Sequence, residues 1–306
     1  MNLDLSMPTD FHAHIQPWSV SLPLTCALVL VALVYLRGWG RLRNNSPHLI
    51  SLWRVAAFMG SLFLLWIVVG SPLSALDHEL LTIHMINHLV LMTVVAPLMF
   101  AGAPGLVLFQ GIPARLGHGL HDFVLRNESL RRIGRLLRHP VFCWLCPTAA
   151  VIGWHLPAVF QLAMRSHRWH QAEYASFILV GFLFWQPVLR PVSSAREYSQ
   201  WSTPLYLFLA TLPCDILSAF LVFCGRVVYR SYLSAPRPFD LSALQDQQCA
   251  GALMWVFVTF AYLVPAAVIT IQALSPRTYL QSQRAASGEL SAARSSSLHG
   301  SQAEVA

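Results

Sequence analysis

Long stretches of this chain carry no formal charge: no Asp, Glu, Lys or Arg occurs between Arg54 and Asp77, between Glu79 and Arg115, between His139 and Arg165, or between Asp246 and Arg277. Each gap can supply the ~20 apolar residues that a bilayer-spanning helix needs. Charged residues make up 11% of the chain and hydrophobic ones 56%, against roughly 25% charged in a soluble domain, so a soluble globule does not fit. Block lengths and flanks predict helices near 20–36, 52–71, 82–101, 141–159, 171–189, 203–224 and 250–274. The expected fold is therefore an all-α polytopic membrane helix bundle of about seven transmembrane helices over residues 20–275. Residues 1–19 read as a periplasmic N-terminal segment. Residues 276–306, rich in Ser, Ala, Gly and Arg, read as a disordered cytoplasmic tail whose composition cannot bury a core. The run AGAPG after Phe100 ends the third helix or breaks it into a re-entrant turn. Asp4 and Asp10 precede the first apolar block, with no positively charged region before it, so that block is expected to remain as the first helix.

Orientation follows from arginine. All 20 basic residues are Arg, and most sit between apolar blocks, which is the positive-inside pattern and not a nucleic-acid surface. One alternating set of segments holds Arg37, Arg41, Arg43, Arg54, Arg115, Arg126, Arg131, Arg132, Arg135, Arg138, Arg190, Arg196, Arg277, Arg284 and Arg294. The other holds Arg165, Arg168, Arg226, Arg230 and Arg237. The first set is expected in the cytoplasm, with the N-terminus out and the C-terminus in.

That orientation sorts the thirteen histidines. His48, His118, His121, His139 and His299 fall on the cytoplasmic side among arginines. His12, His14, His78, His84, His88, His155, His167 and His170 fall outside or in the outer third of helices. His84 and His88, in HMINH, are spaced i, i+4 and share a helical face. His155, in GWHLP, ends the fourth helix and His170 opens the fifth, so all four lie at similar depth. Imidazole is the commonest metal-binding side chain, and an unpaired ionisable group inside a membrane is costly. Met85, Met92 and Met164 add soft thioether sulfur, which suits copper, especially Cu(I). A zincin site would need H-E-x-x-H, and Met85 stands where its Glu would be. Asp77, Glu79 and Glu173 read either as partners that orient imidazoles or as solvated loop charges. Asp215, in LPCDILSAF, is the acid well inside a span and is expected to face the bundle, as a structural hydrogen bond or in a ligand or proton role. Cys143 and Cys146 form a CxxC far from the histidine face; Cys26, Cys214 and Cys224 read as packing residues. No nucleophile–base–orienter set and no phosphate-binding glycine loop is present, so no enzyme activity is expected.

The blocks SPLSALDHEL, HMINHLVLMTVVAPLMFAGAP, RHPVFCW, GWHLPAVF, FLFWQPVL, YLFLATLPCDILSAF and DQQCAGALMW follow one another over about residues 50–275. In these blocks and their order the chain resembles the CtaG-type cytochrome c oxidase assembly proteins, seven-helix membrane proteins associated with maturation of bacterial haem–copper oxidases. The resemblance implies that Asp77, His84, His88, His155, His170, Asp215 and Asp246 match the family's polar positions. It further implies copper as cargo, a haem–copper oxidase subunit as partner, and a multi-pass place in the bacterial inner membrane. One position departs: where members commonly show a second His four residues after the one matching His170, this chain has Tyr174, and a phenol is a poor ligand for Cu(I). The leading expectation is an assembly factor holding Cu(I) at His84, His88, His155 and His170, supported by Asp77, Met85, Asp215 and Asp246. A haem-binding membrane electron carrier and a copper permease are the alternatives. A permease needs a polar path across the membrane, to which Asp215 alone contributes little.

Overall fold

The computed structural model describes residues 21–45, 50–71, 76–113, 123, 126–189, 201–236 and 240–275, which are built from helices with no strand among them. The elements are α1 (Leu22–Asn45), α2 (Leu52–Gly70), α3 (Leu81–Ala101), α4 (Pro104–Gly111), α5 (Glu128–Leu136), α6 (Pro140–His155), α7 (Pro157–Arg165), α8 (His167–Trp185), α9 (Ser202–Phe223), a 3₁₀ turn (Arg230–Leu233) and α10 (Ala243–Leu274). The expected segments 1–19 and 276–306 lie outside the described residues, as do His12, His14, His48, His118, His121 and His299.

Five helices, α1, α2, α3, α9 and α10, are long and apolar enough to cross a membrane, and the pair α5–α6, bent by 74°, makes a sixth if it counts as one span. The expectation of about seven spans also counts α6 and α8 as full crossings. α6 has 16 residues, about 24 Å at 1.5 Å per residue, which is short of the roughly 30 Å hydrocarbon core. α8 has 19 residues, but His167, Arg168, His170, Gln171 and Glu173 occupy its first two turns and cut its apolar length. On the longer helices many exposed side chains are themselves apolar, among them Leu30, Leu33, Phe63, Ile216 and Phe220. A surface of that kind is suited to lipid.

Several boundaries move for identifiable reasons. The expected helix 141–159 stops at His155 because Pro157 has no N–H and forces Leu156 into an extended conformation, after which α7 restarts. α10 begins at Ala243, seven residues before the expected 250. Ser242 and Gln245 form a reciprocal cap there: Ser242 N–H donates to Gln245 Oε1 (2.9 Å) and Gln245 N–H donates to Ser242 Oγ (3.2 Å). After Ala101 the chain turns through Ala103, at φ 51°, into α4, so AGAPG does end the third helix. α4 then packs on α1, where Tyr35 stacks on Phe58 at 3.9 Å and donates its hydroxyl to the Gly102 carbonyl (2.7 Å).

Inter-residue contacts divide the chain into two units, residues 1–190 with 210–258, and residues 191–209 with 259–306. The second takes the start of α9 and the end of α10. The first contains α1 to α8 and every residue of the site below. Within it, α8 lies against α3 and α6. The contact with α3 is close at Gly181, where a Cβ would lie 2.9 Å from Ala96 Cβ and 3.1 Å from Met92 Cα. α3 is wound as a π-helix over Leu91–Val95. The Met92 carbonyl there accepts from Trp185 Nε1 at 3.0 Å, a cross-helix bond of the kind that a widened turn makes room for. Gly181 and the π turn together hold the polar start of α8 beside the histidine-bearing start of α3.

Candidate metal site

His84 and His88 lie one turn apart on the first half of α3, with ring centroids 4.2 Å apart. Glu173, in the second turn of α8, places Oε1 3.5 Å from each Nε2. All three side chains are nearly inaccessible, at 0%, 5% and 1% exposure respectively. Their donor atoms lie within 4.8 Å of one another. Glu173 is thus not a solvated loop charge: it is a buried carboxylate between two imidazoles. Aromatic rings close the surroundings, with Phe160 against His84 (5.0 Å) and Phe177 stacked on His88 (4.3 Å).

Asp77, His78 and His170 form a second group, whose donor atoms likewise lie within 4.8 Å of one another. Asp77 and His78 lie in the 3₁₀ turn before α3, and His170 is in the first turn of α8. His170 Nε2 lies 3.2 Å from Asp77 Oδ2, and His78 Nε2 lies 3.6 Å from Asp77 Oδ1. The His170 ring stacks on His84 with centroids 5.7 Å apart, so the groups share a wall. Tyr174 donates its hydroxyl to Asp77 Oδ2 and accepts from Asn87 Nδ2 at 3.1 Å. Tyr232 donates to the Asp77 backbone carbonyl at 2.7 Å. Burial by itself would raise the Asp77 carboxyl. The adjoining His170 imidazole, the nearby His84 and the Tyr174 hydroxyl outweigh it and hold Asp77 below the ordinary carboxylate value. Burial pulls His78 below its ordinary value, partly offset by Asp77.

His155, the last residue of α6, has Nδ1 2.6 Å from the Val151 carbonyl and Nε2 3.2 Å from Met85 Sδ. A carbonyl can only accept, so Nδ1 carries the proton and Nε2 of the neutral ring presents a lone pair. Thioether sulfur has no hydrogen either. Two lone-pair donors therefore face each other, an arrangement suited to a shared cation. The His155 ring is 6.3 Å from that of His88.

Hydrogen bonding gives a direct test of whether an ion fits. Eleven buried side-chain N and O atoms lack a well-aligned hydrogen-bond partner among the described residues, and eight of them belong to Asp77, His84, His88, His170 and Glu173. Buried polar atoms are almost always satisfied. So many orphans on converging imidazole and carboxylate donors fit a cation, with soft donors at His155 and Met85 beside harder ones at Glu173 and Asp77.

Other residues singled out from sequence take different places. Asp246, near the start of α10, joins neither group. Its carboxylate accepts from Leu81 N–H (2.7 Å), Thr82 N–H (3.1 Å) and Thr82 Oγ1 (2.6 Å), and so caps the start of α3. Asp215 also joins neither group; it hydrogen-bonds Thr211 one turn earlier on α9, and its Oδ1 has no hydrogen-bond partner among the described residues. Glu79 and the exposed His167 stand outside both groups. Met164 Sδ accepts from Tyr232 at 3.9 Å, and Met92 acts through its carbonyl. Cys143, whose Sγ donates to the Leu137 carbonyl at 3.2 Å, and Cys146 lie near the α6 end opposite His155. Sequence reasoning undervalues Glu173, and it gives no site role to Asn87, Phe160, Tyr229 or Tyr232. Tyr229 donates to the His155 carbonyl at 3.1 Å and lies 4.0 Å from Phe160.

Among curated proteins the chain is similar to an uncharacterized protein of Mycobacterium bovis and to another of Mycobacterium tuberculosis, each 22% identical over 299 residues. The match covers 94% of this chain but 43% of each relative, so the chain spans less than half their length. No solved structure matches it. The family profile described as cytochrome c oxidase caa3 assembly factor matches residues 33–275, which include every residue of both donor groups. On that match the chain belongs to the cytochrome c oxidase caa3 assembly factor family.

Proposed function

We propose that this chain is a non-enzymatic assembly factor that carries copper as cargo for a haem–copper oxidase subunit, held by His84, His88 and Glu173 together with His155 and Met85. The observation that carries the reading is the set of orphaned buried donors on α3 and α8. Imidazole and thioether donors favour Cu(I), and the Glu173 carboxylate offsets the charge of an ion taken out of water. The Val151 carbonyl fixes the His155 tautomer. The aromatic rings of Phe160 and Phe177 exclude water and occupy the space beside His84 and His88. A haem lying between those imidazoles would need that space, which favours a bare ion. The arginine asymmetry favours a periplasm-facing site in a bacterial inner membrane, with seven crossings if α6 and α8 both span.

In cells lacking the chain, oxidase copper content and activity are restored by wild type and by His121→Ala, but not by Glu173→Gln or by His84→Ala, His88→Ala or His155→Ala, when all are present in the membrane at equal levels. Full restoration by the His84→Ala, His88→Ala double variant overturns the proposal.

A further inference from the structure

The buried donor group has no exposed member, so a cation needs another group to meet it first. We infer that Asp77, His78 and His170 form a second, separate metal station, open to solvent through His78, at which a transition-metal ion binds before passing to or from the buried group. This inference rests on the metal-carrying reading above.

Three observations bear on it. Exposure falls steeply along the line of donors: the His78 side chain is 48% exposed, His170 8% and Asp77 0%, followed by His84 at 0%. The buried members keep unfilled donor capacity among the described residues: Asp77 Oδ1 has no well-aligned hydrogen bond, and His170 Nε2, though 3.2 Å from Asp77 Oδ2, is not aligned for one. Tyr174 occupies only the other oxygen, Oδ2, and so holds the carboxylate in place while leaving Oδ1 toward His78. Finally, the rings are contiguous: His78 lies 5.0 Å from His170, which lies 5.7 Å from His84, which lies 4.2 Å from His88.

The donor chemistry differs from one station to the next. One carboxylate and two imidazoles hold a borderline divalent ion such as Zn(II), and the imidazoles also take Cu(I), whereas the buried side adds the thioether of Met85. Transfer between them is a ligand exchange. The ion keeps its charge, so copper passes as Cu(I) and a Zn(II) probe as Zn(II), and the bonds to Asp77, His78 and His170 break as bonds to His84, His88 and Glu173 form. No electron moves and no proton needs a new acceptor if the imidazoles are already neutral. Tyr174 serves this station as a positioning residue.

Zn(II), which is redox-silent, is the probe. Purified full-length chain in detergent is dialysed to equilibrium against Zn(II) and bound metal is counted by mass spectrometry, with the far-ultraviolet circular dichroism of each variant checked against wild type. The inference expects two ions per chain in wild type, one in His78→Ala, one in Asp77→Asn, and one in the His84→Ala, His88→Ala double variant. It further expects the His78→Ala chain to load its remaining ion more slowly than wild type. Two ions retained by both His78→Ala and Asp77→Asn overturn it. One ion in wild type, kept by His78→Ala and lost by the double variant, overturns the second station and leaves the proposed function standing. One ion lost equally in every variant means a single shared site and also overturns it. No bound Zn(II) in a wild-type chain that does bind Cu(I) overturns the second station alone, while failure to bind either ion removes both readings.

Discussion

Asp246→Ala tests whether the start of α3 is held from another helix. The Asp246 carboxylate, 3% exposed, accepts three hydrogen bonds from Leu81 and Thr82. A carboxylate near the first turn also interacts favourably with the α3 dipole. Hydrogen bonds to a charged group contribute about 1.5–3 kcal/mol each. The three share one carboxylate and do not add fully, so the loss is about 3–5 kcal/mol, comparable with breaking a buried ion pair. At about 2–4 °C per kcal/mol for a chain of this size, the apparent Tm in detergent falls by on the order of 10 °C. Asp246→Asn keeps one oxygen acceptor and loses about half as much. His84 follows Leu81 by three residues, so the same fraying loosens the site, and metal occupancy falls with Tm. An Asp246→Ala protein that melts within about 2 °C of wild type and keeps its metal refutes the capping argument.

Tyr174→Phe leaves the Asp77 carboxylate and the Asn87 amide short of a partner in a buried place; it lowers stability by about 1–3 kcal/mol, read by thermal melting, while retaining the buried ion. Gly181→Leu drives a side chain into Ala96 and Met92 and destabilises by about 1–3 kcal/mol or more. The control is Leu212→Ile on α9, where the side chain is 41% exposed and the exchange changes Tm little. Acid weakens the fold in two steps, followed as apparent Tm from about pH 8 down to about pH 3. His78 has a folded value below its ordinary 6.5, so the unfolded chain takes up the proton first and stability declines as pH falls below 6.5. Asp77 has a folded value below its ordinary 3.8, so its contribution is full above that value and is lost as pH falls through the folded one. His78→Ala makes the first decline shallower and leaves the second; an unchanged profile contradicts the assignment. Reporter fusions after Gln110 are expected to be cytoplasmic and fusions after Asp77 periplasmic, and a periplasmic signal from the 110–140 loop reverses the orientation.

The i, i+4 spacing of His84 and His88 is enough to put both on one helical face, and the helix-end positions of His155 and His170 bring them to the same level. Glu173 is harder to read, because HRWHQAEY looks like the polar flank of a span. Its burial comes from the fit of α8 against α3 at Gly181, a tertiary contact that leaves no local mark in the sequence. The partner of Asp246 is equally hidden: Thr82 lies 164 residues away. The π turn at LMTVV has no residue signature, so the bond from Trp185 to Met92 has no local sign either. The early start of α10 does have one, the Ser242-x-x-Gln245 pattern, but hydropathy alone places the boundary where the apolar run begins. Tyr174 reads from sequence as a lost imidazole, an expectation that rests on the resemblance alone, and in the fold it is the hydroxyl that holds Asp77.

The central claim is that the buried donors on α3, α6 and α8 hold copper, and the most direct test is metal stoichiometry. Full-length protein is loaded anaerobically with Cu(I) against a competing chelator, and bound copper is counted for wild type, for the His84→Ala, His88→Ala double variant and for His121→Ala. The account predicts bound copper in wild type and in His121→Ala, and loss of the buried ion in the double variant. Wild-type copper content in a correctly folded double variant contradicts it.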